Sequence, residues 1–117
     1  MTTHKGGCHC GRVRFEVEVG DEFKEAIECN CSICFKKGSI LAFVQRDKLK
    51  LLTPETNIST YTFNKHVIQH RFCKTCGVQP FGEADGPKGP GAAINLRCLE
   101  DFDMKTVKVS PFDGRSL

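Results

Sequence analysis

The sequence predicts a mainly β chain built from small sheets, with one or two short helical turns. Three observations predict it. Val13, Phe15, Val17 and Val19 alternate with Arg12, Arg14, Glu16 and Glu18, the period-two pattern of a half-buried strand. Ile58 to Phe63 is rich in β-branched and aromatic residues, and Asn64-Lys65-His66 reads as a turn into a hairpin partner over Val67 to Phe72. Helical periodicity is scarce throughout.

The remaining elements follow in chain order. Ser32 to Lys37 can make one or two helical turns, with Gly38 as the stop signal. Ile40 to Val44 is a short apolar run suited to a buried strand. Leu49 to Leu52 reads as another strand, ended by Thr53-Pro54. Gly82 to Gly91 contains four glycines and two prolines and is expected to be a surface loop. Ala92 to Arg97 and Val107 to Val109 complete the strands, and Leu99 to Met104 is expected to form a short helical turn. With 117 residues there is room for one modest core, so residues 1–117 are expected to form a single domain. Such a core, without tryptophan, usually needs a staple.

Eight cysteines, at 8, 10, 29, 31, 34, 73, 76 and 98, supply it. Residues 1–7 hold no apolar stretch like that of a signal peptide, and no run approaches the roughly 18 apolar residues of a membrane span. The expected compartment is therefore the reducing cytoplasm, where thiols bind metal rather than pair as disulfides. Cys73-Lys74-Thr75-Cys76-Gly77 has the spacing of a zinc knuckle, with Gly77 free to take the positive φ that the turn needs. Gly6-Gly7-Cys8-His9-Cys10-Gly11 can supply the other two ligands of a closed, structural site. The clip would join distant parts of the chain, where a cross-link restricts the unfolded state most.

Cys29-Asn30-Cys31-Ser32-Ile33-Cys34 places three cysteines in six residues. Three protein ligands and a free fourth position mark a catalytic zinc. The alternative is a second closed site, completed by Cys98 or a histidine. Three thiolates on Zn²⁺ leave a net charge of −1, a weak Lewis acid. Such a site activates water poorly but accepts a fourth sulfur and deprotonates it. A thiol substrate follows.

The formal net charge of +3 hints at an anionic partner. Seven thiolates would subtract seven charges and two Zn²⁺ restore four, which brings the total to zero and argues against nucleic acid. Nothing suggests a membrane partner. Lys36, Lys37, Arg71 and Arg97 are candidates to hold substrate carboxylates, with solvated surface charge as the alternative. His4, His9, His66 and His70 can act as bases or ligands, with a structural role as the alternative; His70 reads as a strand residue and His9 as a knuckle filler. Asn30 and Asn95 can polarise a carbonyl or hold turns.

Taken together, Gly7 to Gly11, Cys29 to Cys34, Phe72 to Gly77 and Asn95-Leu96-Arg97-Cys98-Leu99 resemble the glutathione-dependent formaldehyde-activating enzyme family, which includes centromere protein V. The likeness covers nearly the whole chain. It implies small β-sheets assembled around zinc, the β-tent arrangement. It implies a structural zinc on Cys8, Cys10, Cys73 and Cys76 and a catalytic zinc on Cys29, Cys31 and Cys34. Arg97 and Lys36 are then the expected contacts of the bound thiol. It further implies a carbon–sulfur lyase that joins glutathione and formaldehyde into S-hydroxymethylglutathione. The alternative is a non-catalytic zinc module for protein or nucleic-acid binding.

Overall fold

The computed structural model describes residues 2–63, 67–86, 89–100 and 102–114. In chain order the elements are β1 (Thr2–Gly7), β2 (Arg14–Val19), β3 (Glu25–Cys29), α1 (Ser32–Lys37), β4 (Leu41–Gln45), β5 (Leu49–Leu51), β6 (Ile58–Tyr61), β7 (Gln69–Cys73), β8 (Phe81–Gly86), β9 (Gly89–Asn95) and β10 (Lys108–Phe112). Single 3₁₀ turns occur between them. No helix among the described residues is long and apolar enough to cross a membrane.

The strands form two sheets. The small one runs β1-β2-β5, and the large one runs β10-β3-β4-β9-β8-β7-β6. Every pairing is antiparallel except β10 on β3. The alternation in β2 sends Phe15, Val17 and Val19 inward, and Val13 just before it is also fully buried. They meet Phe81 and Ile94 from the large sheet, and Leu96 just after it, in one apolar cluster. Phe15 and Phe81 cross edge to face, with ring centroids 6.1 Å apart, and so join the two sheets. A smaller aromatic group, His4, Phe23 and Phe102, closes one end. Burying a side chain such as Phe15 stabilises the fold by about 1.5–3 kcal/mol.

The expected helix is present as α1, and Gly38 ends it in the left-handed conformation, its N–H bonded to the Cys34 carbonyl. Four expectations need correction. Within the Gly82 to Gly91 segment, residues 82–86 and 89–91 are strand rather than loop: β8 and β9 pair from Phe81↔Ile94 to Gly86↔Gly89. Sheet neighbours on both sides, β7 and β4, override the low strand propensity of glycine and proline. The strand expected through Arg97 stops at Asn95, whose side chain caps a 3₁₀ turn over Leu96–Cys98. Of the expected Leu99 to Met104 turn, Leu99 instead bridges Gly6, and the helical turn among the described residues there falls at Met104–Thr106. The final strand is longer than Val107 to Val109 and contains Pro111, which an edge strand tolerates. The expected hairpin turn at Asn64-Lys65-His66 lies outside the described residues.

Candidate metal centres and the adjoining cavity

The eight cysteines sort into two groups and one remainder. Cys8 and Cys10 follow β1 in the small sheet; Cys73 ends β7 in the large sheet, and Cys76 lies just beyond it. Their four Sγ atoms lie within 4.8 Å of one another. Cys8 and Cys10 Sγ are 3.7 Å apart, and Cys10 and Cys73 Sγ are 3.6 Å apart. A disulfide would place sulfurs about 2.05 Å apart, whereas tetrahedral Zn–S bonds of about 2.3 Å place them about 3.8 Å apart. The spacing fits a shared metal, and all eight thiols are free of disulfides.

Local backbone builds this group. Thr75 and Cys76 N–H donate to Cys73 Sγ at 3.3 and 3.4 Å, and Val13 N–H donates to Cys8 Sγ at 3.3 Å. Gly77 takes φ +82°, as the knuckle spacing predicts. Gly7 serves differently: a Cβ there would stand 2.3 Å from the Val13 carbonyl oxygen, so glycine is needed for close approach. Burial opposes ionisation of Cys76, yet N–H groups from Val78 and Cys10 bring its pKa down to about 6. The Cys76 N–H lowers Cys73 in the same way, whereas burial raises Cys8.

The second group is Cys29, Cys31 and Cys34, also with every Sγ within 4.8 Å of the others. Cys29 ends β3, Cys31 caps the start of α1, and Cys34 lies in its first turn. Cys31 N–H donates to Cys29 Sγ at 3.4 Å. All three are half-buried. Burial, then the neighbouring Cys31 and Cys29 sulfurs, push Cys34 up to about 12. Burial also opposes ionisation of Cys31, but the Cys34 N–H and thiol outweigh it and lower its pKa. Sulfurs this crowded hinder one another's ionisation, and a divalent cation between them removes that penalty. The donor set therefore fits a soft divalent metal in both groups.

The family model described as glutathione-dependent formaldehyde-activating enzyme matches residues 3–112. The chain belongs to that family. A relative from Talaromyces marneffei, provisionally named a glutathione-dependent formaldehyde-activating enzyme, is 32% identical over 79 residues. That alignment covers 64% of this chain and 42% of the relative, so the chain matches well under half of that protein. A crystal structure of a Rhodobacter sphaeroides protein superposes with a TM-score of 0.78 at 30% identity. It covers 92% of this chain and 97% of that one.

In this family member the second cysteine group opens onto a cavity of about 370 Å³, lined by residues of β3, α1, β4, β8 and β9. Cys29, Cys31 and Cys34 all line it. Cys98 does not join them. Its Sγ contacts the Gln79 carbonyl oxygen at 3.8 Å, and burial followed by the Cys8 and Cys76 sulfurs raises it to about 11. No histidine among the described residues completes the second group either.

Lys36 and Arg97, the expected thiol contacts, are exposed and do not line the cavity; Lys37 does. The Lys37 amine donates to Gln79 Oε1, and Gln79 Nε2 approaches His70 Nδ1 at 3.5 Å. His70 is buried in the cavity wall and its pKa is lowered by burial and by Lys37. Arg71 is held by Glu55 and lies 3.2 Å from Glu83, which also pairs with Arg46. Asn95 donates to the Gln79 carbonyl and accepts from Arg97 N–H, and Asn30 donates to Asp113, so both brace turns. Sequence reasoning did not find Gly114. A Cβ at that position would stand 2.6 Å from Cys29 Sγ, so the segment after β10 presses directly on the second group. Its signal was the glycine in Phe112-Asp113-Gly114.

Proposed function

We propose that this chain is a zinc-dependent carbon–sulfur lyase, a single domain over 1–117 that works in the cytoplasm. It would join a thiol such as glutathione to a small aldehyde such as formaldehyde, and release it in reverse. One observation carries this reading: three sulfurs converge on a common point, no fourth protein donor joins them among the described residues, and the group faces a cavity. Zinc at Cys8, Cys10, Cys73 and Cys76 would be structural, and zinc at Cys29, Cys31 and Cys34 catalytic. When bound there, zinc supplies the acidity that turns a thiol into a thiolate.

The chain's own residues set the stage for addition. The β3 end and the first turn of α1 hold the three sulfurs to one side and leave the cavity side free. The apolar walls around them limit water and strengthen local electrostatics. In the reaction a sulfur–carbon bond forms, the carbonyl π pair moves to oxygen, and that oxygen takes up the proton that the thiol gave up. Lys37, steadied by Gln79, is the cation on the cavity wall that can face the developing oxygen charge. Lys36 and Arg97 lie outside this cavity and can act only on parts of a substrate that extend beyond it.

The test is Cys31→Ser. The variant should keep the native circular dichroism spectrum, bind one zinc per chain in place of two, and lose catalysed exchange between thiol, formaldehyde and adduct measured by NMR saturation transfer. Full zinc-dependent exchange in this variant would refute the mechanism.

A further inference from the structure

The cavity beside the second cysteine group differs in character from a site for a charged thiol. Ile27, Leu41, Phe43, Phe63, Ile68 and Phe112 line it. Three of them are large apolar side chains left open to solvent: Phe43 is 57% exposed, Ile68 52% and Phe112 42%. Such exposure is costly when clustered around one opening, and it marks a surface that a ligand covers. The volume, about 370 Å³, is in the range that holds a small organic molecule.

Charge points the same way. Among the described residues the charged groups on the wall are Lys37, Glu83 and Asp85. Glu83 is already paired with Arg46 and Arg71, and Lys37 with the Gln79 amide oxygen. Asp85, on β8 near the hairpin end, adds a negative charge at the rim. Three thiolates around a divalent cation would add a further net negative charge at the floor. A thiol with two carboxylates, such as glutathione, would meet one cation there, Lys37, set against Asp85 and the anionic metal group. A neutral thiol would escape that repulsion and gain contact with the apolar part of the wall.

We propose that the preferred thiol of this site carries an uncharged, apolar substituent, aromatic or aliphatic, that fills the cavity while its sulfur reaches the Cys29, Cys31 and Cys34 group. This rests on the open-site reading given above. Burial of each added methylene strengthens binding roughly fourfold until the cavity is full. Specificity then comes from area buried on the thiol side and from repulsion of anionic competitors.

The test uses full-length protein loaded with Co²⁺, whose sulfur-to-cobalt absorption changes when a thiol binds. Titration with ethanethiol, propanethiol and butanethiol should lower the dissociation constant about fourfold per carbon. Phenylmethanethiol should bind at least tenfold more tightly than glutathione. Phe43→Glu, a change on an exposed strand position outside the core, should collapse that ratio. Glutathione binding as tightly as phenylmethanethiol, or no dependence on chain length, would overturn the inference and leave the open-site reading standing. If no thiol alters the spectrum, the second group is closed and both fall.

Discussion

The two cysteine groups place the same donor atom in opposite settings. The first draws its sulfurs from the ends of both sheets, with Cys10 and Cys73 separated by 63 positions, and buries Cys8 and Cys73. The second takes all its ligands from one six-residue segment, half-buried, at the edge of a cavity. The first group therefore connects parts of the fold, whereas the second connects the fold to solvent. A ligand set drawn from distant segments is committed to structure, because moving any sulfur moves a sheet. A ligand set drawn from one turn can be varied or left incomplete at little cost to the rest. Residue count in the group matters less than how far apart in the chain its members lie.

Three changes would break or sharpen this contrast. The largest effect is expected from Cys73→Ser. Structural zinc contributes apparent binding energies of about 10 kcal/mol or more, comparable to the whole stability of a domain this size. The variant should lose its cooperative thermal transition and bind no zinc tightly at either group. A native melt would show that the first group is not the clip. A middle effect is expected from Gly114→Ala, where the new Cβ would meet Cys29 Sγ at 2.6 Å. Competition with a chromophoric chelator should show the second zinc weakened about tenfold, with the first zinc and the melting temperature nearly unchanged. Equal loss at both groups would mean that they are coupled. The smallest effect is expected from Cys98→Ala. The thiol's hydrogen bond is to a backbone carbonyl rather than to the second cysteine group, so the change should cost about 1 kcal/mol in denaturant unfolding and leave two zinc ions bound. Loss of one zinc would place Cys98 among the ligands and erase the difference between the groups.

Much of this was legible from residues close together in sequence. The alternation in Val13 to Val19, the stop at Gly38 and the turn at Gly77 are local properties, and each took the expected form. The grouping of Cys8, Cys10, Cys73 and Cys76 was legible because the knuckle spacing left only a few partners for its metal. What escaped depended on neighbours far away in the chain. β8 and β9 look like loop until β7 and β4 are placed beside them. Lys36 and Lys37 are adjacent in sequence, but about 100° apart around a helix, and only the packing of α1 decides which one meets the cavity. Gly114 presses on Cys29 only because β10 runs parallel to β3 and ends beside it. No local pattern announces a parallel edge strand that closes over a ligand.

The long separation within the first group has a consequence for how the protein is made. Cys8 and Cys10 leave the ribosome well before Cys73 and Cys76 exist. Through that interval the early thiols supply only half of the proposed coordination shell, and the small sheet lacks its link to the unfinished large one. Contacts this distant in sequence also form slowly. With the proposed metal at this group, maturation would hinge on a late event, and a nascent chain that met no metal at that moment would be left open to oxidation, aggregation or proteolysis.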